Sequence, residues 1–397
     1  MERRRRRRRQ VPGGSGGKGT QKRKFEKFYT QYDFMLLFMT LAIALFGVLM
    51  IYSASSYTAS TARFNNPYRF VTQQLLGLVL GSILMLIVSN IDFQVFIVKI
   101  PVFHINLVQV AYVVALLLQT IVLIPGIGRE HNGARRWLGF GPAEFQPSEI
   151  SKIAVILFIA YAVYKSRSSL DTFGGFVRIM VYVAPFLGLI AAQNLSTAII
   201  VAGIAVGMCF VASKKKAYFL WCGLALFVLA LAYALLGDSF RSGRIEAWLD
   251  VENNPTGYQI LQGLYAIASG GLFGSGLGES MQKLGYIPEA YNDMIFAVIC
   301  EELGVVGAVL VMLAFLVLLW RIVVIACYAP DIFGSMICIG VMIHIAVQVV
   351  LNIAVVTNSV PSTGVPLPLI SYGGTSAMIM MAELGLVLSV SKQVKLK

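Results

Sequence analysis

Apolar blocks of about 20 residues recur along most of this chain, and about that length of helix is needed to cross a hydrocarbon core of about 30 Å. In lipid, backbone polar groups must be bonded internally, so spanning folds are helices or closed barrels. These blocks are helix-length and do not alternate in polarity, which excludes an outer-membrane barrel. Charged residues are 13% of the 397 and hydrophobic residues 57%, against about 25% charged in soluble domains. A water-soluble globule, a disordered chain and a disulfide scaffold are thereby excluded. The expected fold is an all-α polytopic membrane protein with ten transmembrane helices and large extracytoplasmic loops.

The ten spans are predicted near residues 33–53, 71–90, 104–124, 149–164, 175–192, 195–213, 217–237, 293–321, 333–356 and 373–390. Residues 3–9 are all arginine, and Lys18, Lys22, Arg23, Lys24 and Lys27 follow a Pro/Gly-rich stretch. Residues 1–32 are therefore predicted to be a disordered basic cytoplasmic tail, 33–391 the membrane domain, and 392–397 a short basic cytoplasmic tail. With both termini inside, 23 of the 32 Lys and Arg residues fall on the cytoplasmic side, as the positive-inside rule requires. The net charge of +13 thus has a topological meaning, and no nucleic-acid partner is expected. The first apolar block is too long for a signal-peptide core. Cys209, Cys222, Cys300, Cys327 and Cys338 all lie in apolar blocks without ligand spacing to His104, His131 or His344, so they read as buried apolar side chains.

Three outside loops are predicted, 125–146, 238–292 and 358–372, and any chemistry is expected on that face. Residues 260–268 read as a short helix ended by Gly270-Gly271. Arg135 and Arg136 beside Trp137 suit either a phosphate-bearing lipid or an interfacial anchor. Glu149 and Lys152, three apart after Pro147, share a helix face as a simple ion pair or as the wall of a polar cavity. Asp293 is expected to open the eighth span, as a helix cap or as a partly desolvated general base. Glu301 and Glu302 point about 100° apart on an ideal helix, so one is expected to cap a neighbour or pair with a cation. Glu383 is a further buried acid without an evident partner. The glycine-rich run 271–278 lacks the lysine of a phosphate-binding loop and reads as a close-packing segment; no nucleotide or haem is expected. Residues 360–376 are too apolar for an ordinary loop, and Ser371 within them is a candidate substrate contact.

The motifs Gly133-Ala134-Arg135-Arg136-Trp137, Gln146-Pro147-Ser148-Glu149 with Lys152, Pro288-Glu289 to Glu301-Glu302-Leu303-Gly304, and Gly364-Val365-Pro366-Leu367-Pro368 to Gly373-Gly374 together resemble the SEDS family (FtsW, RodA and SpoVE). The block from Gln282 to Glu289 is more similar to its FtsW or SpoVE branches. The resemblance implies ten spans and a peptidoglycan glycosyltransferase that polymerises lipid II outside the cytoplasmic membrane, in division or spore cortex synthesis. It also implies a class b penicillin-binding protein as partner, with other division or sporulation membrane proteins. It assigns the essential aspartate to Asp293 and a cavity ion pair to Glu149 and Lys152. Relatives often carry Pro-Asp-Leu-Gly-Thr where this chain has Gln193-Asn194-Leu195-Ser196-Thr197. On this reading Arg135, Arg136, Arg244 and Lys283 are the candidate cations for the pyrophosphates of lipid II and of the undecaprenyl-pyrophosphate-linked glycan. A divalent cation, Mg2+ or Mn2+, is expected to assist departure of pyrophosphate. The alternatives are a lipid II flippase and a non-catalytic scaffold for the penicillin-binding protein.

Overall fold

The computed structural model describes residues 32–394 apart from 62–65, 67, 100–103, 132, 141–142, 218, 220, 222, 225–226 and 229–238. The basic tail up to residue 31, most of the expected seventh span, Cys222 and residues 395–397 lie outside the described residues. The described helices are α1 (Phe34–Thr61), α2 (Arg69–Asn90), α3 (Leu107–Ile121), α4 (Pro147–Lys165), α5 (Phe173–Ala191), α6 (Leu195–Ala212), α7 (Ser239–Leu249), α8 (Tyr258–Ser269), α9 (Ile295–Tyr328), α10 (Ile332–Val356) and α11 (Gly374–Ser391). Eight of them (α1, α2, α4, α5, α6, α9, α10 and α11) are long and apolar enough to cross a membrane. Helix α3 is apolar but has only 15 residues, so among the described residues the expected ten spans are not reached.

Helix α4 starts two residues earlier than expected because Pro147 occupies its first turn, where a missing N–H costs nothing and φ is already helical. It buries residues on all sides, including Ala154, Val155, Ile156 and Leu157 in succession, as an interior helix does. Around it pack α3, α6 and α10, and α10 in turn touches α9 and α11. Helix α2 lies along α11. Gly77 and Gly81 set that approach: a Cβ on Gly77 would sit 2.5 Å from the Gly374 backbone, and one on Gly81 2.7 Å from the Met381 sulfur. This is the small-xxx-small packing that membrane helices use to come close. Tyr32 Oη and Lys392 Nζ both donate to Asn90 Oδ1, at 3.1 and 2.6 Å, so the start of α1 and the end of α11 lie at one end of the bundle.

The fold is not wholly helical. Three strands, β1 (Gly128–His131), β2 (Ala134–Phe140) and β3 (Ala143–Phe145), form an antiparallel sheet. Arg129 opposes Trp137, Glu130 opposes Arg135, and a register shift lies between Arg129 and Glu130. The overlooked signal is Asn132-Gly133, the strongest short hairpin signature; Gly133 has φ +75°, as such a turn needs.

Candidate functional site

Asp293 is not the cap of α9. The helix starts at Ile295, its N-cap is Met294, and no side chain caps it. Asp293 instead sits in the approach to the helix, beneath the segment 358–372. Asn352 Nδ2 on α10 donates to the Asp293 carbonyl and to the Val365 carbonyl, both at 2.8 Å, which ties the two segments to one side chain. The carboxylate is lightly held: Gln259 Nε2 donates to Oδ1 at 3.4 Å. A Cβ placed on Gly364 would be 3.8 Å from Oδ2. Burial pushes this carboxyl up to about 6; a backbone hydrogen bond opposes the rise, the Glu289 charge adds to it, and Arg244 and Gln259 oppose it.

Aromatic rings and strained backbone frame this mouth. Phe70, Tyr291 and Tyr372 meet with ring centroids 4.5 to 5.7 Å apart, and Tyr372 N–H donates to the Tyr291 carbonyl at 3.0 Å. Burial pushes the Tyr291 hydroxyl up to about 12. Three non-glycine residues here have positive φ: Glu289 (50°), Asn358 (55°) and Leu369 (61°). Such conformations persist only where the surroundings over-determine them, and they cluster at functional sites. Sequence reasoning missed this frame because aromatics and left-handed residues carry no local signature.

Of the expected cations, Arg244 is nearest to Asp293 in effect; its Nη1 donates to the Ser362 carbonyl at 3.3 Å. Arg135, Arg136 and Trp137 lie on β2. The Arg135 guanidinium pairs with Glu130 at 3.2 Å, and its backbone N–H donates to Gln193 Oε1 at 3.0 Å. Arg136 is half-buried and its Nε is a buried donor without a partner among the described residues; burial lowers its pKa. The departing stretch Gln193–Thr197 has a structural part here. Asn194 caps α6 through Thr197 N–H at 3.2 Å, and Ser196 Oγ donates to the Thr363 carbonyl at 2.8 Å. The sheet, the start of α6 and the 358–372 segment are thus hydrogen-bonded into one surface that ends at Asp293.

Lys283 and Ser371 are corrections to the expected substrate contacts. Lys283 is only 4% exposed and pairs with Glu302 at 2.8 Å, because a buried cation needs a buried anion. Ser371 is buried too, its hydroxyl accepting the Leu367 N–H at 2.7 Å, so its hydroxyl fastens the turn. Glu301 and Glu302 line no common cavity: Glu301 accepts from Ser280 Oγ and the Met281 N–H, and Glu302 takes the lysine. Glu383 has a partner after all, His344 Nδ1 at 2.7 Å.

The expected pair of Glu149 and Lys152 is present at 2.8 Å and nearly fully buried. Ser376 Oγ on α11 donates to Glu149 Oε2 at 3.1 Å. Ser376 also lines a small cavity with Gln348, Pro366, Ser371 and Tyr372, so one hydroxyl joins the pair to residues beneath the 358–372 segment. Among the described residues, no group of three or more His, Cys, Asp and Glu could hold a metal alone.

Residues 33–396 match the FtsW/RodA/SpoVE family, described as cell cycle proteins. Stage V sporulation protein E of Bacillus subtilis is 38% identical over 91% of this chain and 98% of that protein. A probable peptidoglycan glycosyltransferase FtsW of Trichlorobacter lovleyi is 36% identical over 92% of this chain and 94% of that protein. Among solved structures, a chain of a peptidoglycan synthase complex that coordinates polymerization and crosslinking superposes with a TM-score of 0.75 at 27% identity, covering 91% of this chain and 98% of that one. The rod shape determining protein RodA of Thermus thermophilus gives 0.68 at 27% identity, covering 93% and 99%. By its motifs, its fold and these matches, the chain belongs to the FtsW/RodA/SpoVE family.

Proposed function

We propose that this protein is a peptidoglycan glycosyltransferase that polymerises lipid II into glycan strands on the outer face of the cytoplasmic membrane. The observation that carries the reading is Asp293, a carboxylate raised by burial to about 6, with no ion-pair partner among the described residues, at a mouth framed by Arg244 and the 358–372 segment. A general base works best when its pKa lies near the operating pH and it meets its proton within hydrogen-bond reach. In this reading Asp293 removes the proton from the sugar hydroxyl of the incoming lipid II. That oxygen attacks the anomeric carbon of the lipid-linked glycan, whose bond to pyrophosphate breaks. Arg244, Arg135 and Arg136 hold the anionic diphosphates; guanidinium suits this because its planar fork grips phosphate oxygens in pairs.

A divalent cation fits only as an ion shared with substrate. Such ions commonly take one or two carboxylates plus substrate phosphates, and Glu289 and Asp293 are the carboxylates close enough to influence each other here. When bound, it would neutralise charge on the departing pyrophosphate. The basic tail puts the bundle end that carries Asn90 in the cytoplasm. Since a similar chain works in a complex that also crosslinks, a class b penicillin-binding protein is the expected partner.

The test is the purified protein reconstituted with lipid II and scored for glycan polymer and for transbilayer movement. Polymer supports the proposal. Movement without polymer makes the protein a flippase, and neither product makes it a scaffold.

A further inference from the structure

Helix α9 is broken near its outer end. Gly304 has φ 67° and ψ −168° inside it, and the backbone groups freed there are taken up by the glycine-rich run. Ser275 and Gly276 N–H donate to the Glu301 and Glu302 carbonyls at 2.9 and 3.0 Å, and Val305 and Val306 N–H donate to the Gly271 and Leu272 carbonyls at 3.0 and 3.1 Å. Only glycine allows this approach: a Cβ on Gly304 would lie 2.4 Å from the Leu272 oxygen, and one on Gly274 2.1 Å from the Glu302 oxygen. The break splays Glu301 and Glu302 onto the segment that leads to Asp293. Glu301 accepts the Met281 N–H at 2.9 Å and the Ser280 hydroxyl. Glu302 is fully buried and takes Lys283 Nζ at 2.8 Å. Ser53 of α1 donates to Glu302 Oε1 and accepts from Lys283 Nζ at 2.8 Å. The other Glu302 oxygen is buried without a partner among the described residues.

We propose that the Lys283–Glu302–Ser53 cluster is a positioning latch for the transfer site: it fastens the 280–294 segment, and with it Asp293, to the broken helix α9 and to α1. This rests on the glycosyltransferase reading for its effect on rate, but not for its effect on structure. Lys283 is a positioning residue and touches no substrate. A buried pair opened on one side leaves an uncompensated charge, whereas removing both charges is far milder. The latch therefore has a signature that direct substrate contact lacks.

The experiment uses the full-length protein, comparing Lys283→Met, Glu302→Gln and the double variant by hydrogen–deuterium exchange and by lipid II polymerisation. Each single variant should raise exchange in 280–294 by about tenfold, and lower kcat by about tenfold with KM within about threefold. The double variant should recover at least about half of the lost kcat on a logarithmic scale. Unchanged exchange in both single variants overturns the latch whatever the activity. Raised exchange with unchanged kcat overturns the positioning role. A selective rise in KM for Lys283→Met, not recovered in the double variant, returns Lys283 to direct substrate contact and overturns the proposal. Where a charge variant fails to fold, Ser53→Ala decides: about two- to threefold higher exchange in 280–294 supports the latch, and none refutes it.

Discussion

Asp293 and Glu149 are both carboxylates at the start of an apolar helix, one just before it and one in its first turn, and the protein treats them in opposite ways. Glu149 is answered by Lys152 at 2.8 Å and Ser376 at 3.1 Å, so its charge is neutralised by the fold. Asp293 has no ion-pair partner among the described residues and takes one side-chain amide at 3.4 Å, with Arg244 acting on it only through its charge, so its charge is less fully met by the fold. The first arrangement makes a helix crossing rigid. The second keeps a base available at some cost in stability, which is the usual relation between a supporting pair and a working group.

The largest break in this comparison is chemical. Asp293→Asn should abolish polymerisation, a loss of at least about 100-fold in kcat, while the protein stays folded in membranes. A wild-type rate in that variant would end the assignment of the base. With wild-type protein, the rate should fall as pH drops through about 6, where Asp293 takes up its proton.

The next effect concerns the neutralised partner. Glu149→Gln or Lys152→Met should each cost about 3–5 kcal/mol, because one buried charge is left alone. Exchanging the two residues should recover stability more than activity, since the local field is inverted. Thermal unfolding of wild type, Glu149→Lys, Lys152→Glu and the double exchange checks this; additive losses would show that the two do not interact.

A smaller effect is expected at the sheet. Arg136→Ala should weaken lipid II capture by about tenfold, with Arg136→Lys restoring only part of it. Binding equal to wild type in Arg136→Ala would leave that arginine an anchor at the interface.

The smallest effect sharpens the comparison from the other side. The folded state raises the Asp293 pKa from 3.8 to about 6, so between those values the native protein binds more protons than the unfolded one. Its stability contribution therefore declines as pH rises through that window, and the cost is complete above it. Asp293→Asn removes the cost, so its Tm at pH 7.5 should exceed wild type by about 2 °C, and the gain should vanish below pH 4. A lower Tm at neutral pH would mean that the carboxylate is stabilising.

The helical period and the isolated prolines and charges made most of the membrane architecture legible. Pro147 marked α4, Gly270 closed α8, and the spacing of Glu149 and Lys152 foretold their ion pair because a helix fixes which residues share a face. The pairing of β1 with β2 has a sequence signal in the Asn-Gly dipeptide between them, although the length of the segment reads as a loop. The partner of Glu383 was not legible. His344 lies 39 residues away on another helix, and local periodicity says nothing about which faces of two helices meet.

What the sequence determined by itself is whatever depends on neighbours along the chain: the helical, membrane-spanning character of most apolar blocks, the residues that share a helix face, and the motifs that place the chain in its family. Only the tertiary structure decided which ionisable groups are paired off and which is left ready. Lys283 and Arg244 look alike as outer cations in the sequence, yet one is folded inward onto Glu302 and the other stays beside Asp293. The reason is that the worth of a charge is set by burial and by its nearest opposite charge, and both are properties of three-dimensional packing.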